Sequence, residues 1–234
     1  MERGDHWFYR LTRATARWFC LLFFRNRGIH QERVPREGGF LLAVNHSSNL
    51  DSVLASVSID RPVYFLARRT LFDLPIFGWV IRHLNALPLE REGVGLSAFR
   101  AAEACLENGG GVLLFPEGTR SRDGKIGRMR PGVVRLAQRT GALVVPAFIV
   151  GSYDALPRGA WFPRPVKTEV RFGAAFAVSE EEKADVSLER LRKAWLVLAE
   201  GDVEETRPQP KEPGESVQEP LPGADSGDGR RIPE

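Results

Sequence analysis

The chain has 234 residues, of which 43% are hydrophobic and 27% are charged, and this composition suits one globular domain with a sizeable core. The net charge is only +3, but residues 202–234 hold nine acidic and four basic side chains, about −5, which leaves residues 1–201 at about +8. Because most cationic residues are arginines, which bind phosphate bidentately, the basic part suits a phosphorylated ligand or an anionic membrane.

Cysteine usage and glycine patterns exclude several classes of site. Cys20 and Cys105 are far apart and match neither a disulfide nor a metal-ligand spacing, so a reducing compartment and buried thiols are expected. The glycines at 109–111 precede a predicted strand, whereas a phosphate loop joins a strand to a following helix. We expect them to end a helix, and we expect no nucleic-acid partner.

Residues 1–37 form an N-terminal segment with an amphipathic helical pattern. Large apolar side chains recur at helical spacing with arginines between them, at Trp7, Leu11, Ala14, Trp18 and Leu22. The uninterrupted apolar run at 18–24 is far shorter than the roughly 20 residues that cross a bilayer. The pattern predicts a helix lying in the membrane interface, with its arginines near lipid phosphates. A helix packed on the body of the domain is the alternative.

Residues 38–201 alternate short apolar runs with longer periodic ones, the pattern of an α/β domain. The predicted strands span 40–45, 63–67, 86–89, 111–116, 143–150 and 167–173. The predicted helices span 51–59, 71–83, 95–107 and 131–140. A last helix is predicted to begin with Ser187 as its N-cap and Glu189 in its first turn. Residues 202–234 are rich in Pro, Gly and acidic residues and are predicted to be disordered.

The stretch "NHSSNLD", residues 45–51, places His46 and Asp51 at the junction of a predicted strand and helix. Side chains at the carboxyl end of a parallel strand are commonly functional in α/β sheets. An aspartate there can cap the helix, and it can also orient the imidazole so that the other ring nitrogen acts as a general base. The spacing by itself favours the capping role.

The stretch "FPEGTRSRDG", residues 115–124, concentrates polar groups directly after a predicted buried strand. Glu117, Gly118, Thr119 and Arg120 supply a carboxylate, a permissive glycine, a hydroxyl and a guanidinium. This set can hold a polyol phosphate, with the guanidinium forked onto the phosphate and the glycine admitting backbone amides. An ordinary surface turn is an equal alternative on residue chemistry alone.

Taken together, these two stretches resemble the glycerolipid acyltransferase family, whose lysophosphatidate acyltransferases combine N-H-x4-D with F-P-E-G-T-R-S in this order. Between them, "LFDLPIFGWVIRHLNALPLER" resembles the family's second block, and "MRPGVVRLAQRTGALVVPAFIVGSYDALPRG" resembles its fourth. The resemblance covers roughly residues 38–175. It implies a single α/β domain with a mostly parallel sheet flanked by helices, preceded by a membrane-associating helix.

The resemblance also implies a role for each matching residue. His46 would be the general base that deprotonates an acceptor hydroxyl, and Asp51 would orient and charge-stabilise it. The acceptor's glycerol phosphate would be bound by Arg91, Glu117, Gly118, Thr119 and Arg120, with Pro146 shaping the pocket wall. The implied reaction moves an acyl group from acyl-CoA or acyl carrier protein to the sn-2 hydroxyl of lysophosphatidate, without a metal or other cofactor. The enzyme would sit on the cytoplasmic face of an anionic membrane, peripherally or monotopically.

One position departs from the family pattern, and several other functions compete. Many members have a lysine before the second block, where this chain has Arg68 and Arg69, so neither arginine is given a role. Glycerol-3-phosphate or another lysolipid is the alternative acceptor. A non-enzymatic membrane-binding protein would explain the N-terminal segment but not the site residues.

Two hydrolase classes are disfavoured. A serine hydrolase using Ser47 or Ser48 lacks the G-x-S-x-G elbow. For a metal hydrolase, His6, His30 and His83 have no ligand spacing. His83 is expected at the core or its boundary.

Overall fold

The computed structural model describes residues 6–89 and 94–201, and these form one seven-stranded sheet in the order β1-β7-β6-β2-β5-β3-β4. The strands are β1 (Arg27–Ile29), β2 (Phe40–Val44), β3 (Val63–Arg68), β4 (Ala86–Leu89), β5 (Gly111–Leu114), β6 (Leu143–Val150) and β7 (Glu169–Phe172). All neighbouring pairs run parallel except β6 and β7. The predicted α/β fold with a mostly parallel sheet is confirmed.

All six predicted strands are present, with ends that differ from the expected ones by no more than two residues. Strand β1 was missed, because three residues that directly follow a helix are too short to show an alternating pattern. It pairs with β7 from Arg27–Glu169 to Ile29–Arg171. The N-terminal segment 1–37 therefore supplies the edge strand of the sheet.

The helices are α1 (His6–Phe24), α2 (Asp51–Val57), α3 (Arg69–Phe72), α4 (Pro75–His83), α5 (Val94–Glu107), α6 (Gly132–Thr140), α7 (Ser152–Ala155) and α8 (Ala184–Glu200). The helix predicted at 71–83 is two helices. Leu74 has an extended backbone, with φ −75° and ψ 123°, because a residue before proline avoids the helical region. Pro75 then opens α4, where its missing N–H costs nothing.

The prediction for the last helix was wrong about its start. Helix α8 begins four residues earlier, with Lys183 at the N-cap in place of Ser187 and with Asp185 in the first turn. Ser187 is buried inside the helix and donates a hydrogen bond to Glu182 Oε1 at 2.8 Å. A serine capping signal is weak where the preceding residues already favour a helix.

Two cores cover the two faces of the sheet. Along β2, Phe40, Leu42 and Val44 belong to the core under α1, α2 and α4, whereas Leu41 and Ala43 face α5, α6 and α8. Every residue of β2 is fully buried, as expected for a central parallel strand covered on both faces. The chain just after β2 is therefore held on both sides.

Helix α1 packs on the domain through one face and exposes apolar residues on another. Its inner face buries Ala16, Cys20 and Phe24. Arg13 and Arg17 both pair with Asp60, and the expectation that the arginines of this helix lie near lipid phosphates stays a prediction. No helix in residues 6–89 or 94–201 is long and apolar enough to cross a membrane.

The outer face of α1 carries the predicted apolar stripe. Four large side chains on it are exposed, namely Trp7 (58%), Leu11 (53%), Trp18 (63%) and Leu22 (75%). Exposed apolar side chains continue on the neighbouring α4, at Ile76 and Trp79. The alternative of a helix packed on the body of the domain is therefore confirmed, whereas the interfacial position of its unburied apolar face stays a prediction.

Candidate active site

The loop after β2 is fixed by Asn45. Its side-chain amide donates to Ile149 O at 3.2 Å and its side-chain oxygen accepts from Ile149 N at 2.7 Å. The amide group thereby continues the pairing of β2 with β6 by one step beyond the end of the strand. This contact holds the backbone of the next residue, His46, at the edge of the sheet.

His46 and Asp51 form the contact that the sequence predicted. His46 Nδ1 lies 2.9 Å from Asp51 Oδ2, and the carboxylate is fully buried as the first residue of α2. The same oxygen accepts backbone N–H groups from Ser47 at 2.6 Å and Ser48 at 2.8 Å. Because an ionised carboxylate only accepts hydrogen bonds, Nδ1 carries the proton and Nε2 has a free lone pair.

The predicted capping of α2 by Asp51 was wrong. The N-cap residue is Leu50, and no side chain caps this helix. One oxygen of Asp51 takes all three donors from the preceding turn, while Oδ1 has no hydrogen-bond partner among the described residues. The carboxylate therefore bonds to residues 45–50, called the histidine loop below, and not to the backbone at the start of α2.

The loop after β5 completes the surroundings of His46. Phe115 stacks on the imidazole, with ring centroids 3.8 Å apart and planes inclined by 16°. Ser121 N donates to His46 O at 2.7 Å. Since β2 and β5 are parallel neighbours, their carboxyl ends meet at one edge of the sheet. The imidazole is thus held in position by its neighbours, with its side chain 19% exposed.

Glu117 binds the backbone on both sides of the site. Oε1 accepts His46 N at 2.9 Å and Oε2 accepts Gly127 N at 2.9 Å. Burial raises the pKa of this carboxyl above its usual range, while the hydrogen bonds from these two backbone amides act to lower it. These contacts position the histidine loop, and the expected role of Glu117 in acceptor binding stays a prediction.

Gly118 turns the chain away from Glu117 with a backbone φ of 67°, a conformation that side-chain-bearing residues rarely adopt. A Cβ here would also come within 3.0 Å of the Arg130 Nε. The turn is closed by Gly118 N donating to Phe115 O at 2.9 Å and by Arg130 N donating to Pro116 O at 2.7 Å. A glycine is required both for the turn and for the close approach of Arg130.

An open basic cavity of about 850 Å³ lies beside this turn. It is lined by six cationic side chains, those of Arg120, Arg122, Lys125, Arg128, Arg130 and Arg158, against two carboxylates. Thr119, Ser121 and Glu117 are also part of its wall. Because Glu117 bonds to the backbone of His46, the cavity begins next to the candidate base.

Most of the predicted site residues lie together at this edge. Arg91 is outside the described residues. Pro146 is buried within β6, opposite Ala43 of β2, and is absent from the wall of the basic cavity as far as the structure describes it. Pro146 sits where β7 bulges, because the pairs Ala147–Phe172 and Val144–Phe176 are three residues apart on one strand and four on the other. Its place in the pocket wall stays a prediction.

Three residues of the site were missed from the sequence. Asn45 and Phe115 stood within the quoted stretches but received no role, and Gly127 contacts the site only through its backbone N–H. Phe115, the aromatic residue before the Pro-Glu-Gly turn, was a usable signal, since an aromatic side chain at the end of one strand can stack on a histidine at the end of the neighbouring strand. No sequence signal indicated the Gly127 contact, because a backbone N–H does not depend on the type of residue that carries it.

The serine hydrolase and metal hydrolase alternatives find no support in the geometry of the described residues. Ser48 Oγ donates to Leu156 O at 3.0 Å and so is engaged away from the imidazole. His30 pairs with Glu32, and His83 is half-buried and lies 2.8 Å from Trp79 O, which confirms the boundary position of His83. Over residues 6–89 and 94–201, no three His, Cys, Asp or Glu side chains group as a metal site.

Comparison with known proteins identifies relatives of this arrangement. The sequence model of the family described as "Acyltransferase" matches residues 26–150. A chloroplast 1-acyl-sn-glycerol-3-phosphate acyltransferase of Arabidopsis thaliana is 32% identical over 50% of this chain and 33% of its own length. The enzyme of the same name from Pseudomonas aeruginosa is 28% identical over 80% of this chain and 73% of its own length. The chain thus spans about a third of the plant relative.

The fold is also similar to a solved structure. The crystal structure of the 1-acyl-sn-glycerophosphate acyltransferase of Thermotoga maritima superposes with a TM-score of 0.66, covering 89% of this chain and 86% of the other at 24% identity. That likeness supports the fold. The family match covers more than half of the sequence and includes both loops that meet at His46. This chain therefore belongs to the acyltransferase family.

Proposed function

We propose that this protein transfers a fatty acyl group from an acyl thioester to the sn-2 hydroxyl of lysophosphatidate, giving phosphatidate for phospholipid synthesis. The observation that carries the proposal is the imidazole of His46. Its Nδ1 lies 2.9 Å from the buried Asp51 carboxylate, and the backbone N–H of His46 donates to Glu117, which lines a cavity with six cationic side chains.

The chemistry needs one base and no covalent enzyme intermediate. His46 Nε2 takes the proton of the acceptor hydroxyl as its oxygen attacks the thioester carbonyl. Asp51 stabilises the imidazolium that forms, since its Oδ2 accepts the Nδ1 hydrogen bond. The tetrahedral oxyanion collapses with cleavage of the C–S bond, and the imidazolium returns the proton to the leaving thiolate. No step calls on a metal or prosthetic group.

The basic cavity supplies the acceptor site in this proposal. A phosphate monoester carries about two negative charges at neutral pH, and arginine matches its geometry with two parallel hydrogen bonds. Arg120 and Thr119 line the cavity on the turn that follows Glu117, whose carboxylate accepts the backbone N–H of His46. A phosphate seated there would present the glycerol hydroxyl toward His46.

The names of the relatives favour lysophosphatidate over other acceptors. The plant and Pseudomonas relatives are both named 1-acyl-sn-glycerol-3-phosphate acyltransferases. Acyl-CoA and acyl carrier protein are the two donors in the proposal. Their common reactive group is a thioester, so His46 and Asp51 would act identically on either.

A panel assay tests the function. The purified full chain is given labelled acyl-CoA or acyl carrier protein with lysophosphatidate, glycerol-3-phosphate or lysophosphatidylcholine. We expect lysophosphatidate to be acylated at least about 10-fold faster than the other acceptors, and His46→Ala to give no product. Preference for glycerol-3-phosphate would move the proposal to the alternative acceptor. Membrane binding without acyl transfer from either donor would leave a non-enzymatic binding protein.

Peripheral or monotopic attachment to the cytoplasmic face of an anionic membrane is part of the proposal. The exposed stripe on α1, with Trp18 and Leu22 at its centre and end, supports it, because interfacial helices present such faces to lipid. Deleting the helix would also remove Cys20 and Phe24, which are buried against the body of the domain, and would expose the core that they cover. Substitution is therefore the better test.

We expect Trp18→Ser with Leu22→Ser to weaken binding to vesicles containing phosphatidylglycerol by about 10-fold or more. The matched control is Val186→Ser, which removes an apolar residue of 53% exposure from α8. Equal vesicle binding by all three proteins would contradict the interfacial helix.

A further inference from the structure

We propose that the loop of residues 157–165, "PRGAWFPRP", is a second membrane anchor that inserts Trp161 and Phe162 into the headgroup layer of an anionic bilayer beside the basic cavity. The proposal rests on the proposed function for its substrate, and it concerns residues to which neither the motifs nor the relatives assign a role.

The tip of this loop is the most exposed aromatic pair in the described residues. Trp161 is 92% exposed and Phe162 is 84% exposed, more than any residue of the α1 stripe. Two adjacent large aromatic side chains in water are unfavourable, because each leaves a large apolar area unburied. Tryptophan in particular prefers the membrane–water interface, where its ring is buried and its N–H stays hydrated.

The charge of the loop identifies the partner. Arg158 and Arg164 flank the aromatic pair, and residues 157–165 contain no acidic residue. Both arginines are exposed. A basic side chain close to an anionic leaflet contributes about 1 kcal/mol to binding. Aromatic residues bracketed by arginines thus match a surface of lipid tails under negatively charged headgroups.

The base of the loop is tied to the active site on one side. Leu156 O accepts the hydroxyl of Ser48, in the histidine loop, at 3.0 Å, and Arg164 N donates to Ala155 O at 2.7 Å. Arg158 itself lines the basic cavity. A bilayer in contact with the tip would therefore lie next to the cavity that is proposed to take the phosphate.

The other side of the loop joins the end of α1. Thr168 N donates to Phe24 O at 3.0 Å, and Arg27 N donates to Thr168 O at 3.2 Å. The last turn of α1 exposes Leu21 and Leu22 near this junction. The chain that follows the loop is thus attached to the end of α1. In the proposal the loop is a second contact point with the bilayer, which would fix the tilt of the domain, whereas a domain held by one helix alone could roll about it.

Such an arrangement shortens the path of the acceptor. Lysophosphatidate keeps its acyl chain in the leaflet while its phosphate must reach the cavity and its hydroxyl must reach His46. With the tip inserted, Arg158 lies between the headgroup layer and the cavity. The loop then aligns the cavity with the lipid headgroups of the membrane. Acyl transfer to an acceptor dissolved in water should not need the loop.

The test compares the full chain with Trp161→Ser/Phe162→Ser in flotation with vesicles of phosphatidylcholine, with and without phosphatidylglycerol. We expect the partition coefficient to fall about 10-fold or more. Leu196→Ser, a control that removes an exposed apolar residue from α8, should stay within about two-fold. Since both loop side chains are exposed, the thermal unfolding midpoint should match the unsubstituted protein.

Arg164→Gln isolates the electrostatic part. It is expected to reduce partition about five-fold on phosphatidylglycerol vesicles, and to have no effect on vesicles of phosphatidylcholine alone. A partition coefficient of the aromatic variant within two-fold of the unsubstituted protein would overturn the proposal. So would unchanged partition with selective loss of acyl carrier protein as donor, which would make the loop a protein-docking site.

Activity measurements separate this proposal from the proposed function. The aromatic variant should acylate a short-chain lysophosphatidate dissolved as monomers at the normal rate, and should lose activity only on acceptor held in vesicles. Equal loss on both acceptors would overturn the anchoring role. If the unsubstituted protein transfers no acyl group at all, the proposed function fails, while flotation still decides whether the loop binds membranes.

Discussion

The histidine loop and the basic cavity are neighbours, joined through Glu117, but are built in opposite ways. Around His46 the polar groups are buried and bonded to each other, with Asp51 fully buried and Glu117 5% exposed. Around the cavity the side chains of Thr119, Arg122 and Lys125 are exposed. A base must be held in one orientation, whereas a phosphate with three oxygens can be bound by mobile cations in several ways.

This difference predicts different kinds of damage. Changes in the histidine loop should lower kcat because they disturb the geometry of the reacting atoms. Changes in the cavity should raise KM, because they remove attraction that the bound substrate and the transition state share. The substitutions below test that division, from the largest expected effect to the smallest.

His46→Ala removes the base. We expect kcat to fall by about 10³-fold or more, with the fold kept because Asp51 retains its hydrogen bonds from Ser47 N and Ser48 N. Acyl transfer is measured with saturating lysophosphatidate, and circular dichroism checks the fold. Turnover within about ten-fold of normal would show that another group takes the proton.

Asp51→Asn keeps the shape but removes the charge that stabilises the imidazolium. Oδ2 accepts three hydrogen bonds, and a neutral amide oxygen would hold them more weakly. We expect kcat to fall by about 10² to 10³-fold with little change in KM. Steady-state kinetics measures the split, and a change confined to KM would remove Asp51 from the catalytic step.

Glu117→Gln tests the backbone contacts of the histidine loop. A carboxylate accepts from both His46 N and Gly127 N, but an amide places an NH2 group against one of them. We expect kcat to fall by roughly 10-fold to 100-fold. A rise in KM with unchanged kcat would instead support the acceptor-binding role that the sequence predicted for this residue.

Arg120→Ala belongs to the cavity and should act mainly on KM, raising it about 10-fold for lysophosphatidate. Arg192→Ala, at an exposed position of α8, is the matched control for loss of one arginine. Kinetics at two salt concentrations sharpen the test, since screening should weaken the Arg120 effect. A fall in kcat with unchanged KM would indicate that Arg120 acts in the chemical step, as is expected for the residues of the histidine loop.

Glu117 also predicts a small pH dependence of stability. Burial raises the pKa of its carboxyl, so the folded state binds the proton more tightly than the unfolded state, whose carboxyl titrates near about 4.3. The stabilisation from this group is therefore present below that pH and is lost as pH rises through the folded pKa. The free energy of unfolding of Glu117→Gln should lack this decline. If the free energy of unfolding changed with pH in the same way in the unsubstituted protein and in Glu117→Gln, the prediction would be contradicted.

Some features of the fold and of the site could be predicted from the sequence, and others could not. The strands after which the site lies were predictable because continuous apolar runs such as residues 143–150 are typical of buried parallel strands. The pairing of His46 with Asp51 was predictable from the family motif. The stacking of Phe115 and the hydrogen bond of Glu117 to His46 N were not, because they join chain segments about 70 residues apart.

The start of α8 and the role of Asp51 show where local rules mislead. Ser187 and Asp51 both occupy positions where capping is common, yet each side chain bonds elsewhere, to Glu182 and to the histidine loop. Capping propensities describe an isolated helix end. Tertiary contacts of comparable strength can take the same side chain.

The sequence by itself determined the fold class, the order of the strands along the chain and the residue types that could do acyl transfer, because burial and chemistry are carried by each residue. Only the tertiary structure decided that Asp51 uses one oxygen for three donors and that Glu117 positions His46. It also showed that the chain following the Trp161–Phe162 loop bonds to the end of α1 through Thr168. The Glu117 contact depends on distant segments becoming neighbours when β2 and β5 pair, and the energy of that pairing is spread over the whole sheet.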